Sequence, residues 1–159
     1  MSTTLQRIAY SPLWLLLHAV ALLPFGVLYA LSDALAWVAA SVVRYRRRLV
    51  EANIAAAFPD KTEAERRDIV KRFYRNFTDV FVETIKLLHI SDDEMRRRMV
   101  FEDIEHVERI AKDGRSIGLY CSHFGNWEWI TSITLWVYRA DNVEYSQVYR
   151  PLRNKWFDR

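Results

Sequence analysis

From residue 8 to residue 43 the chain carries one formal charge, Asp33, and the apolar run stops abruptly at Arg44. Its richest part, 13–31, has the roughly 20 residues a helix needs to cross a hydrocarbon core. Tyr10 and Trp14 near one end and Trp37 and Tyr45 near the other suit interfacial aromatics. Pro24 and Gly26 interrupt the run, and Ser32-Asp33 reads as a helix N-cap. Two arrangements fit: one spanning helix, or a spanning helix followed by an interfacial one. A buried core helix is the alternative. A cleaved signal peptide would have a shorter apolar region and a more basic start than Arg7 alone.

Beyond the arginines the rhythm is helical. Residues 44–58 read as a basic-to-amphipathic helix that stops before Pro59. Thr62-Glu63-Ala64-Glu65 is a capping box. After it, Ile69, Phe73, Phe77, Val80/Phe81, Thr84/Ile85 and Leu88 recur at helical spacing and predict one buried stripe. Ser91 to Glu94 repeats the cap and opens a short helix to about Met99. Residues 100–102 read as a short strand. Residues 104–112 follow as a helix closed by Asp113-Gly114, because glycine tolerates the left-handed cap. Residues 115–121 are a compact apolar strand, 127–138 a helix and 143–149 an alternating strand before Pro151. A strand–helix–strand order with this crossover implies a parallel pair. The expected fold class is therefore α/β: amino-terminal membrane helix or helices, then a partial, mostly parallel sheet covered by helices. Two convincing strands are few for a sheet buried on both faces. The chain is accordingly expected to be an amino-terminal portion, with an anchor at 1–48 and part of a truncated α/β domain at 49–159.

The 159 residues suit a single domain by length, and 51% apolar with 14% aromatic residues supply core material. Net charge is only +3 with a pI near 9.1, but it is clustered. Arg44, Arg46, Arg47 and Arg48 stand together, as do Arg96, Arg97 and Arg98, and Arg150, Arg153, Lys155 and Arg159 close the chain. Such clusters suit anionic partners: lipid head groups, phosphorylated sugars or an acidic carrier protein, while Arg96–Arg98 read as a solvated helix face. By the positive-inside rule the first cluster puts residues 44 onward on the cytoplasmic side. The one cysteine, Cys121, excludes an intrachain disulfide.

The chemistry concentrates in residues 119–128, Leu-Tyr-Cys-Ser-His-Phe-Gly-Asn-Trp-Glu. An apolar run delivers His123 to a strand end, and Glu128 follows after a turn at Gly125 and Asn126. A histidine base needs one ring nitrogen facing the substrate and the other held by an acceptor that stabilises the imidazolium. Glu128 is that acceptor if the chain turns at Gly125. The alternative is a hydrogen-bonded turn histidine beside a solvated first-turn acid. Backbone N–H groups at Gly125 and Asn126 are candidates for an oxyanion site. Arg150, after a strand parallel to the first, is the second cationic candidate, suited to a thioester oxygen or a phosphate. Asn154 and Lys155 are weaker ones. Cys121 lies two residues before His123, but a cysteine in an apolar strand is more often inert core. His18, His89 and His106 show no metal-ligand spacing, and there is no P-loop, GxGxxG or nucleic-acid motif.

SHFGNWEW (122–129) resembles the catalytic His-x-x-x-x-Glu motif of the lipid A biosynthesis (lauroyl/myristoyl) acyltransferases. These sit within the wider lysophospholipid-acyltransferase group. RYRRR (44–48), EANIAAAFPDKTEAE (51–65), FYRNFTDVFVETIKLL (73–88) and VYRPLRNKWFDR (148–159) extend the likeness over nearly the whole chain. The resemblance implies a glycerol-phosphate-acyltransferase-like domain and His123 and Glu128 as catalytic residues. It also implies a functional arginine at Arg150 and no cofactor beyond the acyl co-substrate. It further implies a membrane-anchored O-acyltransferase at the cytoplasmic face of a cell inner membrane, acting in lipopolysaccharide biosynthesis. That enzyme moves an acyl group from acyl carrier protein or coenzyme A to a hydroxyl of a lipid A precursor. The rival readings are an acyltransferase for a lysophospholipid, aminolipid or other glycolipid, and a non-catalytic membrane-anchored fragment or binding protein.

Overall fold

A computed structural model describes residues 3–137, 144, 146–148 and 151, with side chains from Ser11 onward. Helix α1 (Thr3–Leu22) ends where Pro24 lacks an N–H and disfavours helical backbone at Leu23. Pro24 itself is extended (φ −61°, ψ 149°), and its carbonyl accepts the first N–H groups of α2 (Phe25–Trp37). A π-helical turn (Val38–Val42) prolongs α2. Arg44 and Arg46 then hold φ of 52° and 49°, which turns the chain sharply into α3 (Arg47–Ala57). Pro59 stops α3 in the same way as Pro24 stops α1. Helix α4 (Glu63–Lys86) starts on the full capping box: Thr62 Oγ1 accepts from Glu65 N–H, and Glu65 accepts from Thr62 N–H at 2.8 Å.

Residues 19–89 form one compact unit. In it α2 packs along α4, and α3 packs on α4. Ala36, Val50, Ile54 and Tyr74 share a core with Ala39, Ala40, Ile69 and Val70 around them. A row of polar contacts fixes the register of α2 on α4. Tyr29 Oη donates to Glu83 at 2.8 Å, Ser32 Oγ to Thr78 Oγ1 at 2.9 Å, and Arg75 binds Asp33 through two nitrogens at 2.7 and 3.2 Å. Tyr74 Oη donates to the Tyr45 carbonyl at 2.7 Å, and burial pushes its phenol up from the usual value. At the far end of α4, buried Lys86 donates to the carbonyls of Ala21 and Leu23 at 2.8 and 2.9 Å. Its ammonium group also lies over the Phe25 ring. The lysine thus closes the carboxyl end of α1, where carbonyls lack intrahelical partners.

Residues 1–18 and 90–159 form the other unit. Ser91 Oγ caps α5 (Asp92–Arg98) by accepting from Glu94 N–H, while the Glu94 carboxylate turns to Arg97 and Arg98. Those two guanidinium groups hold Glu94 below the usual carboxylate range. Helix α6 (Ile104–Lys112) ends at Gly114, whose φ of +70° is the left-handed cap expected there. Residues 115–122 run without regular structure into a bend at His123 and a 3-10 helix, Trp127–Leu135. Among the described residues of this unit Met95, Trp129, Ser132 and Val137 are buried, and Arg96 ties α5 to the 3-10 helix through the Leu135 carbonyl at 3.0 Å.

Three sequence expectations are overturned. The described residues contain helices and no strand, so the expected α/β class with a partial parallel sheet does not hold for them. A strand persists only where a second strand satisfies its N–H and C=O groups. Among the described residues none runs beside 115–121, where Leu119 is 55% and Tyr120 99% exposed. Residues 100–102 are also irregular, and most of 143–149 lies outside the described residues. Next, Ser32-Asp33 caps nothing. Both lie inside α2, their side chains bound to α4, and the break falls at Pro24. Finally, the buried stripe of α4 is Tyr74, Thr78, Val82 and Lys86, while Phe73 and Phe81 are exposed.

Candidate active site

The segment that carries His123 gets its shape from one glycine and one short helix. Gly125 holds φ +58°, a left-handed conformation that L side chains rarely adopt, with open space where a Cβ would sit. The backbone angle alone therefore selects glycine there. Phe124 N–H donates to the Ser122 carbonyl at 2.9 Å and tightens the bend at His123. Asn126 opens the 3-10 helix, its carbonyl accepting from Trp129 N–H at 3.2 Å. Trp129 and Ser132 are buried on one side of that helix and anchor it. Being i and i+3, they stack along a 3-10 helix.

His123 is exposed, and its ring rests on Trp127, with centroids 4.4 Å apart and planes at 53°. Glu128 is half-buried in the first turn of the 3-10 helix, and its carbonyl accepts from Thr131 Oγ1 at 3.4 Å. The same short segment thus holds His123, Gly125, Asn126 and Glu128 within one turn and its following helix. No hydrogen bond or ion pair joins His123 to Glu128; among the described residues the ring partner of the histidine is Trp127. The N–H groups of Trp127 and Glu128 begin the helix without intrahelical acceptors, as at any helix start. Cys121 is exposed, in place of the buried position expected for it. Arg150, Asn154 and Lys155 lie outside the described residues. Trp127 was not singled out in the sequence. The signal for it is its spacing, four residues after the histidine, where a ring meets the imidazole across the Gly125 turn.

Residues 2–159 match the family of bacterial lipid A biosynthesis acyltransferases, and the chain belongs to that family. It is 29% identical over 126 residues to the lipid A biosynthesis lauroyltransferase of Escherichia coli K12, covering 77% of this chain and 41% of that protein. It is 23% identical over 154 residues to the lipid A biosynthesis acyltransferase of Haemophilus influenzae, covering 94% of this chain and 46% of that protein. The chain thus spans somewhat under half the length of these relatives. No solved structure matches it.

Proposed function

We propose that the protein is an O-acyltransferase that moves a fatty acyl group from a thioester of acyl carrier protein or coenzyme A to a hydroxyl of a lipid A precursor. The observation that carries the reading is family membership over residues 2–159, which takes in the His123 segment. His123 takes the proton of the acceptor hydroxyl, and that oxygen attacks the thioester carbonyl. The tetrahedral intermediate collapses with loss of the C–S bond, and the thiolate leaves with the proton returned by the imidazolium. Glu128 orients the imidazole and stabilises its charge. Hydrogen bonds of this kind tighten on substrate binding, and the left-handed turn at Gly125 is the hinge about which the carboxylate and the ring approach. Backbone N–H groups at Gly125 and Asn126, and Arg150, take the oxyanion or a substrate phosphate. No resident cofactor or metal is required, because the acceptor supplies its own nucleophile. The apolar residues before Arg44 attach the protein to the inner membrane, with the basic cluster and the chemistry on the cytoplasmic side.

The test is transfer of a labelled acyl group from thioester to a tetraacylated lipid A precursor in membranes containing the protein. His123→Ala is expected to lower the rate by about 10²–10⁴-fold. Unchanged transfer in that variant would exclude the mechanism, and transfer to lysophospholipid in place of the precursor would exclude the acceptor.

A further inference from the structure

The unit of residues 19–89 has two unlike sides. Tyr29–Glu83 and Asp33–Arg75 mark one side of the α2–α4 pair. At about 100° per residue, Leu31, Leu35 and Val38 fall on the opposite flank of α2. Phe73, Phe77 and Phe81 fall likewise on the flank of α4 away from Arg75 and Glu83. Both apolar rows therefore open on the same side. On it Val27, Leu31, Leu35, Val42 and Phe81 are each more than a third exposed, and the three phenylalanine rings pack in a continuous row with Tyr45 stacked on Phe77. At the end of this face lies a concavity lined by Arg44, Arg46, Arg47 and Arg48 with Leu49 and Glu51.

We propose that this face docks in the plane of an anionic bilayer, so that α2 and its π-helical turn lie in one leaflet and do not cross it. The stretch Phe25–Val42 is long and apolar enough to span by composition. Standing upright, however, it would carry Asp33, at its middle, to the bilayer midplane. The Asp33 side chain is half exposed there, and so is that of its partner Arg75. Helix α4, bound along α2 through Tyr29–Glu83 and Asp33–Arg75, would bring Asp79 and Glu83 into the hydrocarbon with it. Each charge at that depth disfavours insertion by about a hundredfold. Lying flat, the pair keeps the ion pair and the charged flank of α4 in water and immerses only the apolar side, by about 5–10 Å. The arginine concavity then meets phosphate head groups, with Tyr45, stacked on Phe77, at the boundary.

This inference rests on the membrane attachment proposed above and does not depend on the transfer chemistry. A Cys121→Ser background of the full chain is reconstituted in 3:1 phosphatidylethanolamine–phosphatidylglycerol vesicles. Single cysteines at Val27, Leu35, Val42 and Phe81 carry an environment-sensitive fluorophore, and quenching by lipids brominated at different depths locates each one. In-plane docking gives four similar, shallow depths. It leaves a cysteine at Arg72 unquenched and open to a membrane-impermeant reagent. Val27 and Val42 at opposite interfaces with Leu35 at the midplane would overturn the proposal. So would four shielded but unquenched probes, the signature of a second protein surface on this face. The triple variant Arg44→Gln, Arg46→Gln, Arg48→Gln is expected to lose at least tenfold of the preference for these vesicles over phosphatidylcholine ones; an unchanged preference would remove the head-group contact. Shallow depths with no acyl transfer would count against the proposed reaction and leave the docking mode standing.

Discussion

Lys86 shows how much one residue contributes that no motif announces. It sits in line with Tyr74, Thr78 and Val82 at steps of four, a position where a lysine in a charged helix reads as solvated. It is instead buried, 9% exposed, because the broken end of α1 offers two carbonyls that need a donor. Sequence reading had no access to this. The carbonyls lie more than sixty positions away, and their need arises only from Pro24. Lys86→Met keeps the stem and removes the donors, which leaves both carbonyls desolvated and unpaired. Stability is expected to fall by about 2 kcal/mol, since hydrogen bonds to charged groups contribute roughly 1.5–3 kcal/mol. Denaturant unfolding in fixed detergent measures it; an unchanged midpoint would mean that water replaces the ammonium group. The His123 segment is the opposite case. Its candidate residues were legible, because they are contiguous and the turn is local, set by the φ of Gly125. The resting position of the imidazole, on Trp127 and apart from Glu128, was not.

At the scale of elements, the local signals held at Thr62–Glu65 and Gly114 but failed at Ser32-Asp33, and apolar periodicity misled on α4. The box at Thr62–Glu65 and the glycine stop at Gly114 each need only neighbouring residues, and both stand where the sequence put them. The stripe of α4 did not, for a physical reason. Periodicity reports which residues avoid water, whereas the face packed on α2 is selected by Ser32, Asp33 and Tyr29 as well as by shape. A row such as Phe73, Phe77 and Phe81 reads as core whether its apolar neighbour is protein or lipid. The cap gives a prediction with a sign. Hydrogen bonds from Thr62, first its backbone N–H and then its hydroxyl, hold Glu65 below the usual carboxylate value of 4.5. A depressed folded-state pKa stabilises above the unfolded value and is lost as pH falls through the folded one. The first turn of α4 is therefore intact at neutral pH and frays below about pH 4.5. Amide exchange at residues 63–66 should rise in that window. Thr62→Ala should cost about 1 kcal/mol and flatten the pH response. A first turn that exchanges equally at pH 6 and pH 3 would contradict this.

Across the whole molecule, what the sequence could not reveal is pairing between distant segments. The apolar content of 115–121 states that the segment prefers to leave water, and strand propensity follows from its composition. Whether it becomes a strand depends on a ladder partner that no window of residues contains. In this chain the donor and acceptor groups of 115–121 have no such partner among the described residues, and Tyr120 stands fully in solvent. Helix α4, in contrast, satisfies its backbone within itself and adds side-chain bonds to α2 at Ser32, Asp33 and Tyr29. Stability should be distributed accordingly, since amides open locally where hydrogen bonds are few and contacts sparse. In hydrogen-exchange mass spectrometry of the 159-residue chain, peptides covering Tyr74 to Val82 should exchange at least a thousandfold more slowly than unstructured references. Peptides covering Gly118 to Cys121 should stay within about tenfold of those references. Strong protection of 118–121 would show that these N–H groups have found acceptors and would overturn the irregular conformation of the chain where it approaches His123.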